Sequence, residues 1–261
     1  MSDVDVLTLA AHRDDVEQTC GGTLLKMAER GHRTAILDLT RGEMGTRGIA
    51  ADRAREAAEA ARILRVSWRG ALDLADGRVE NTWENRLKVG AVIRMLRPRV
   101  LILPYEKGRH PDHYNASKLG YEACFLAGLS KLEVPPLNAH LEVAPSDSTQ
   151  SKFEIPTLEI SAHRPFKIIY ASLYYDVRPT FVVDITDQFD RRFESLMAYR
   201  SQYEDQQAGA GLFPARAEIR QRIEAMARFY GLLAGVTYAE PFVQQEVGLV
   251  EDITALPVKS I

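Results

Sequence analysis

The sequence has few cysteines and lacks long apolar runs, and each of these features excludes a class of protein. Its two cysteines, Cys20 and Cys124, both lie in apolar segments with helical spacing, so we expect buried, reduced thiols. No apolar run approaches the roughly 18 residues of a membrane span, and the acidic N-terminal residues do not resemble a signal peptide. We therefore expect a cytoplasmic protein with no membrane partner.

The sequence also lacks an excess of basic residues. Its 261 residues carry a formal net charge of -3, and the sequence pI is about 6.1. A nucleic-acid-binding protein would concentrate positive charge on one face, so we expect a small-molecule partner and no nucleic acid. With 46% hydrophobic residues, the chain can form the core of one large domain.

Strands and helices are predicted to alternate along the chain. Apolar, β-branched runs predict strands at Val4–Ala10, Thr34–Leu39, Trp68–Leu74, Val100–Leu103, Lys167–Tyr175 and Phe181–Ile185. Helical spacing predicts helices at residues 16–30, 51–65, 83–96, 114–129, 189–203 and about 215–234. This alternation predicts an α/β fold with a Rossmann-like, mostly parallel sheet flanked by helices. Ligands bind such sheets beyond the carboxyl ends of the strands.

Residues 130–162 interrupt the alternation. They contain four prolines, scattered acidic residues and a Ser-Asp-Ser-Thr-Gln-Ser tract. We expect an irregular insertion within a single domain, either a flap over the ligand site or a surface loop.

Histidines and aspartates cluster after two of the predicted strands. The first cluster, Ala-His-Arg-Asp-Asp-Val-Glu at 11–17, follows the first strand, and the second, Arg-His-Pro-Asp-His at 109–113, follows the strand at 100–103. A catalytic zinc site uses three nitrogen or oxygen ligands from the protein together with water. Two histidines and an aspartate from these clusters would supply that set, and the remaining side chains could transfer protons.

Each cluster alone has a simpler structural explanation. Asp14 or Asp15 could cap the helix that begins there, and residues 110–113 could form a turn leading into a capped helix. The occurrence of both clusters at strand ends of one sheet favours a metal site.

These motifs resemble those of the LmbE-like, or PIG-L, superfamily of zinc N-deacetylases. The first family signature, Ala-His-Pro-Asp-Asp-x-Glu, corresponds to residues 11–17, and the second, His-Pro-Asp-His, is intact at 110–113. The Thr-Arg-Gly-Glu-Met-Gly-Thr-Arg-Gly segment at 40–48 is also similar. The resemblance covers most of residues 4–130 and resumes from about residue 163, and it implies the LmbE-like fold.

The resemblance implies a role for each motif residue. The zinc ligands are expected to be His12, Asp15 and His113, and Fe²⁺ is an alternative metal. Asp14 corresponds to the general base, and His110 to the histidine that stabilises the oxyanion or protonates the leaving amine. Asp112 is expected to orient one of the histidines. Arg13 replaces the proline of the first signature, and its charge could face the substrate or a neighbouring subunit.

Within the superfamily, the pattern is most similar to the bacillithiol-type deacetylases, which act on N-acetylglucosaminyl-malate. Arginine binds a carboxylate through two hydrogen bonds, so four arginines are candidates for binding the malate group. They are Arg47, Arg53, Arg109 and Arg164. Glu43 is a candidate acceptor for a sugar hydroxyl. The family also implies a homo-oligomer.

Several alternatives stay open at the level of sequence. The substrate could be another N-acetylglucosamine conjugate, a chitobiose-like disaccharide or a thiol-conjugate amide. A non-catalytic metal-binding protein and a nucleotide-binding domain are the alternatives from other classes, although the glycine-rich loop lacks a GxGxxG pattern. The other histidines have no acidic neighbours at ligand spacing and are expected to be structural or surface residues. They are His32, His140 and His163.

Overall fold

A computed structural model describes residues 4–136, 142–143, 161–172, 177–204 and 216–258. Within these ranges the strands are β1 (Val6–Ala10), β2 (Thr34–Asp38), β3 (Trp68–Ala71), β4 (Val100–Pro104), β5 (Glu142–Val143), β6 (Lys167–Ala171), β7 (Phe181–Asp184) and β8 (Ala239–Gln244). The helices are α1 (Asp15–Thr19), α2 (Gly21–Glu29), α3 (Ala50–Ile63), α4 (Trp83–Leu96), α5 (Pro111–Ala127), α6 (Phe189–Met197), α7 (Arg200–Tyr203) and α8 (Arg216–Leu232). A short 3-10 helix follows at Ile253–Ala255.

The strands form one sheet in the order β5-β3-β2-β1-β4-β6-β8-β7. Strands β3, β2, β1, β4 and β6 are parallel, whereas β5 and β8 pair antiparallel with their neighbours. The strand order reverses between β1 and β4, and ligands bind α/β sheets at such a switch point. The predicted α/β class with a mostly parallel sheet is confirmed, and both histidine clusters follow the two strands at the switch point.

Alternate residues of the central strands enter two different cores. Leu7, Leu9 and Leu103 pack on the side of α4 and α5, while Val6, Ala10 and Ile102 pack with residues of α1 and α2 on the other side. Strands buried on both faces are expected to be apolar throughout, as these are. The rigid sheet therefore fixes the positions from which the loops at its carboxyl edge depart.

The first predicted helix is divided into two. Helix α1 ends at Thr19 and α2 begins at Gly21, because the carboxylate of Glu240 lies at the start of α2. Its oxygens accept hydrogen bonds from the backbone N–H groups of Gly22 (2.9 Å) and Thr23 (2.6 Å). A Cβ atom on Gly22 would lie 3.0 Å from Glu240 Oε1, so glycine permits this approach. The predicted single helix was wrong because the capping group comes from β8.

Two further differences concern the second half of the chain. The helix predicted at 189–203 is interrupted between α6 and α7, where the Tyr199 side chain turns into the core and its hydroxyl donates to the carbonyl of Arg13. Strand β8 was not predicted, because it contains Pro241 and the buried Glu240. The strand predicted to Tyr175 ends at Ala171.

The predicted insertion at 130–162 lies largely outside the described residues, as does His140. Residues 142–143 pair with β3 and add a strand at the edge of the sheet. None of the helices in the described ranges combines the length and apolar character that a membrane span requires. Both cysteines are buried and unpaired, as expected.

A buried arginine connects β3 to the loop that follows β1. Arg69 contacts Asp38 (2.8 Å) and Glu17 (2.6 Å), and it also donates to the carbonyl of Arg13. Burial raises the pKa of Glu17 to about 7, because the charge of Arg69 offsets only part of the lost hydration. Glu17 Oε2 has no hydrogen-bond partner among the described residues, which agrees with that raised pKa.

We expect Arg69→Met to lower the free energy of unfolding by about 3–5 kcal/mol, because it leaves two buried carboxylates without their cation. Urea denaturation measures the change. The matched control is Arg62→Met, which removes an exposed ion pair with Glu59 and should cost about 1 kcal/mol or less. A loss for Arg69→Met no larger than that of the control would contradict this role.

Candidate metal centre and active site

Two loops at the carboxyl edge of the sheet carry the site. The loop after β1 presents His12 and Asp14, and α1 begins at Asp15. In the second loop, His110 caps α5, and its Nδ1 accepts a hydrogen bond from the backbone N–H of Asp112 (3.2 Å). The proline between them occupies the first helical position, which suits its fixed φ. The first turn of α5 then points His113 towards His12.

Three donor groups meet between these loops. His12 Nδ1 lies 3.3 Å from His113 Nε2, and the Asp15 carboxylate lies 3.2 Å from His113 Nε2 and 3.6 Å from His12 Nδ1. Donors about 2.1 Å from a tetrahedrally bound zinc are separated by about 3.4 Å. The three spacings therefore fit the two imidazoles and one carboxylate of a catalytic metal site.

The other ring nitrogen of His12 is held by aspartates. His12 Nε2 lies 3.2 Å from both Asp112 Oδ2 and Asp76 Oδ1. Asp112 is itself fixed by the backbone N–H groups of Gly77 (2.8 Å) and Val79 (3.0 Å). With Nε2–H directed at carboxylates, Nδ1 faces the centre, where a bound metal ion would take the place of its proton. This is the arrangement that orients metal-binding histidines in proteins.

Asp76 did not stand out in the sequence. It follows β3 in a loop with no histidine nearby, and only the sheet brings it beside His12. Its backbone N–H donates to Glu43 Oε1 (2.9 Å), and its Oδ2 accepts from the backbone N–H of Met44 (2.9 Å). The exposed Glu43, a candidate for sugar binding, therefore fastens the 40–48 loop to the Asp76 loop.

The electrostatic field at this point favours a cation. Burial alone lowers the pKa of His12, but hydrogen bonds to Asp112, Asp15 and Asp76 outweigh this and raise it to about 12. Burial also opposes ionisation of Asp15, yet contacts with His113 and His12 hold its pKa well below its usual range. Three ionised carboxylates around His12 carry more charge than one imidazolium neutralises, so a bound cation would be stabilised here.

His110 lies at the edge of the same centre. Its ring nitrogens and those of His12 and His113 include a set within 4.8 Å of one another. Burial and the neighbouring charges of His12 and His113 lower the pKa of His110, which favours the neutral imidazole. Because Nδ1 accepts from the Asp112 backbone, the neutral ring carries its proton on Nε2. His110 can therefore donate a hydrogen bond from that atom.

The Asp14 carboxylate is held by side chains other than the three donor groups. Its Oδ1 lies 2.9 Å from Arg53 Nη2, and its Oδ2 accepts from the hydroxyl of Tyr203 (3.0 Å) and the side-chain amide of Gln18 (3.1 Å). Arg53 is 5% exposed and crosses the backbone of Gly42, where φ is +73° and a Cβ atom would lie 2.9 Å from the guanidinium. Arg53 was a sequence-based candidate for substrate binding, and the structure places its guanidinium against Asp14.

The other candidate arginines are dispersed. Arg47 is buried and donates to the backbone carbonyl of Gln202 (2.6 Å), so it anchors the 40–48 loop to α7. Arg164 contacts Phe125 near the carboxyl end of α5, the opposite end from His113, and the structure does not bring it to the site.

Arg109 is exposed beside His110. Arg13 is buried, and its charge faces the interior, where it is one of the groups that oppose the rise in the pKa of Asp38 caused by burial.

Two of the remaining histidines lie away from the centre. His32 is near Asp5 on the surface, and His163 Nε2 lies 2.7 Å from the carbonyl oxygen of Pro98. Their positions agree with the structural or surface roles expected from the sequence.

The donor set lies at the carboxyl edge of a Rossmann-like sheet and could hold a divalent metal ion of the kind that hydrolases use. The family model for GlcNAc-PI de-N-acetylases, PIG-L, matches residues 7–124. Diacetylchitobiose deacetylase of Thermococcus kodakarensis is 30% identical over 247 residues, covering 90% of this chain and 80% of that protein. The chain belongs to the PIG-L, or LmbE-like, deacetylase family.

Solved structures agree with this assignment. The conserved protein TT1542 from Thermus thermophilus is 37% identical with a TM-score of 0.77, and the match covers 95% of this chain and 98% of that one. N,N'-diacetylchitobiose deacetylase from Pyrococcus horikoshii, solved with its inhibitor MPG, is 25% identical with a TM-score of 0.68, covering 91% and 82%. Similarity to the bacillithiol-type enzymes in particular is not among these findings.

We expect His113→Ala to abolish stoichiometric binding of Zn²⁺, because it removes one of three donors. Asp112→Asn should weaken binding by about 10–100-fold, since it loosens the support of His12 without removing a donor. Competition with a chromogenic chelator measures both affinities. His32→Ala, an exposed histidine near an aspartate, is the matched control and should bind as the wild type does. Unchanged affinity in His113→Ala would refute the donor set.

Proposed function

We propose that this protein is a zinc-dependent N-deacetylase that hydrolyses the acetamide of an N-acetylglucosamine conjugate. The observation that carries the proposal is the convergence of His12, Asp15 and His113, with Asp14 and His110 beside them and not needed as ligands. Family membership and the deacetylase relatives support the reaction class. Fe²⁺ is the alternative metal, and analysis of the purified protein distinguishes the two.

An amide resists hydrolysis because its carbonyl is a weak electrophile and its amine is a poor leaving group. His12, Asp15 and His113 would hold a divalent cation, which would supply Lewis-acid polarisation of the carbonyl and lower the pKa of the attacking water. Asp14 then accepts the proton of the attacking water. Arg53 and Tyr203 hold its carboxylate in one orientation, which keeps it ready for this transfer.

His110 completes the proton transfers. Its Nε2–H can donate to the oxygen that becomes negative as the carbonyl is attacked. The departing nitrogen needs a proton, which comes from His110 or from the protonated Asp14. Asp112 serves both histidine clusters, since its backbone N–H fixes His110 and its carboxylate fixes His12.

The sequence suggested N-acetylglucosaminyl-malate as the substrate. Among the four arginines considered for its carboxylates, Arg47 and Arg53 are buried against other groups, and Arg164 is remote. Only Arg109 is exposed beside the site. We therefore propose that the N-acetylglucosamine group is the recognised part, with the malate conjugate and diacetylchitobiose as the two candidate substrates.

The substrate proposal is tested by incubating the Zn²⁺-loaded protein with N-acetylglucosaminyl-malate, N,N'-diacetylchitobiose and free N-acetylglucosamine. We expect amine release from at least one conjugate, loss of that activity with a chelator, and its return with Zn²⁺. A preference for the malate conjugate that disappears in Arg109→Ala would support malate recognition. Metal binding without amine release from any of the three would refute the proposed function.

We expect Asp14→Asn to lower kcat by about 10²–10⁴-fold while Zn²⁺ affinity stays within about threefold of wild type, because Asp14 transfers protons and is not a donor to the metal. Steady-state kinetics and chelator competition measure the two quantities. The control is Asp190→Asn, an exposed carboxylate on α6, which should change neither. Near-normal turnover in Asp14→Asn would show that another group is the base.

A further inference from the structure

The chain after β8 contains a segment in which every residue is exposed. This C-terminal tail comprises residues 245–258, and it carries six large aliphatic side chains. They are Val247, Leu249, Val250, Ile253, Leu256 and Val258. Val247 is 96% exposed and Leu249 is 93% exposed, so the domain from which the tail departs covers almost none of their surface.

The tail has local order although none of its residues is buried. Asp252 caps the 3-10 helix that follows it, where its Oδ1 accepts hydrogen bonds from the backbone N–H and the hydroxyl of Thr254, both at 2.8 Å. Short helices in proteins owe most of their stability to packing against other elements. An ordered segment that leaves six aliphatic side chains in water therefore indicates a surface that another molecule covers.

A second exposed apolar surface lies on α5 and on the turn before β6. We call it the basic apolar face, and it consists of Lys118, Tyr121, Phe125, Leu129, Arg164, Phe166 and Lys167. Its members from α5 and the turn after it recur every three or four residues, which places them on one side of the helix. The guanidinium of Arg164 lies 4.7 Å from the centre of the Phe125 ring and joins the two parts of the face.

The tail and the basic apolar face both lie towards the amino ends of the parallel strands. Strand β8 runs antiparallel to β6, and its last residue, Gln244, pairs with Ile169, so the tail leaves the sheet in that direction. The backbone N–H of Phe166 donates to the carbonyl of Arg99, which precedes β4. One neighbouring molecule can therefore contact both surfaces, and it would do so at the edge opposite the metal centre.

The charges of the two surfaces are complementary. The tail contains Glu246, Glu251 and Asp252 and no lysine or arginine. On the basic apolar face, the ammonium groups of Lys118 and Lys167 have no ion-pair partner within the described part of the chain.

Helix α8 has another exposed apolar side, around Phe229, but its charges are already paired. Arg222 contacts Glu218 (2.5 Å), and Arg228 contacts Glu224 (2.9 Å). Complementary charge decides which of two apolar surfaces an acidic segment meets. The acidic tail therefore fits the basic apolar face better than it fits α8.

We propose that the tail of one copy of this chain packs on the basic apolar face of a second copy, and that a two-fold axis repeats the contact. A two-fold interface uses the same surface of both chains and closes on itself. Each copy would contribute about twenty residues, near the 20–30 a side of a stable interface. The proposal does not depend on the proposed function, because the interface and the metal centre lie at opposite edges of the sheet.

Sedimentation equilibrium of the full-length protein tests the proposal. We expect a dimer of the 29.2 kDa chain or a larger even multiple. Leu249→Arg in the tail and Phe125→Asp on α5 should each weaken self-association at least about tenfold, because each places a charge where an apolar group becomes buried. The matched control is Phe229→Asp on α8, which should leave the mass unchanged, since Phe229 is 53% exposed and Phe125 is 56% exposed.

Mixing the two variants tests which surfaces meet. Leu249→Arg keeps a native basic apolar face and Phe125→Asp keeps a native tail, so a mixed dimer has one native contact and one that brings an arginine to an aspartate. We expect the mixture to associate more tightly than either variant alone. Zn²⁺ stoichiometry and thermal unfolding should match wild type in all three variants, because the changed residues are exposed and far from the donor groups.

Three outcomes would overturn the proposal. The first is a wild type that stays monomeric at high micromolar concentration, including one that sediments with anionic lipid vesicles, which would assign the surface to a membrane. The second is an assembly that neither Leu249→Arg nor Phe125→Asp weakens. The third is a mixture that associates no better than its components, which would show that the tail meets some other surface.

Discussion

The buried guanidinium of Arg69 is the contact on which the geometry of the site depends. It joins carboxylates from β2 and α1, and it donates to the carbonyl of Arg13, in the middle of the loop that carries His12 and Asp15. A buried charge is strongly destabilised without its partners, so this network restricts the loop to one arrangement. The hydroxyl of Tyr199 reaches the same carbonyl from the far end of the chain. The buried charged groups that contact the interior side of this loop therefore fix the positions of the donor groups.

The sheet supplies the second constraint. His12 and His113 are 101 residues apart in the chain, yet they follow strands that are neighbours in the sheet. At a switch point, the connections from two adjacent parallel strands leave in opposite directions and open a crevice between their loops. In this protein, both loops end in the first turn of a helix. That turn fixes the direction of each side chain, because the regular backbone of a helix sets the direction of every Cα–Cβ bond. A site of this kind needs a stable sheet more than it needs a pre-formed pocket.

The part of the site that could be predicted from sequence consists of residues that are close together in the chain. His12, Asp15, His110 and His113 stand in two short motifs, and strand periodicity was enough to place both motifs at one edge. Asp76 was missed, and the contact between Arg53 and Asp14 was not predicted, because both depend on loops far apart in sequence. The same reason explains the undetected β8, whose buried Glu240 interrupts the apolar pattern but caps α2. Charged residues that stabilise a fold from a distance leave no local pattern.

Asp14 and Asp15 show how adjacent, identical side chains can acquire different chemistry. Asp15 is the first residue of α1, and its carboxylate turns towards two imidazoles, whereas Asp14 precedes the helix and faces a guanidinium and a phenol. A carboxylate that binds a cation is a poor acceptor for a proton, because its lone pairs are already engaged. A carboxylate held by side chains, with no metal ion on its oxygens, keeps that capacity. In the proposed function, the helix boundary between them therefore separates metal binding from proton transfer within a single peptide unit.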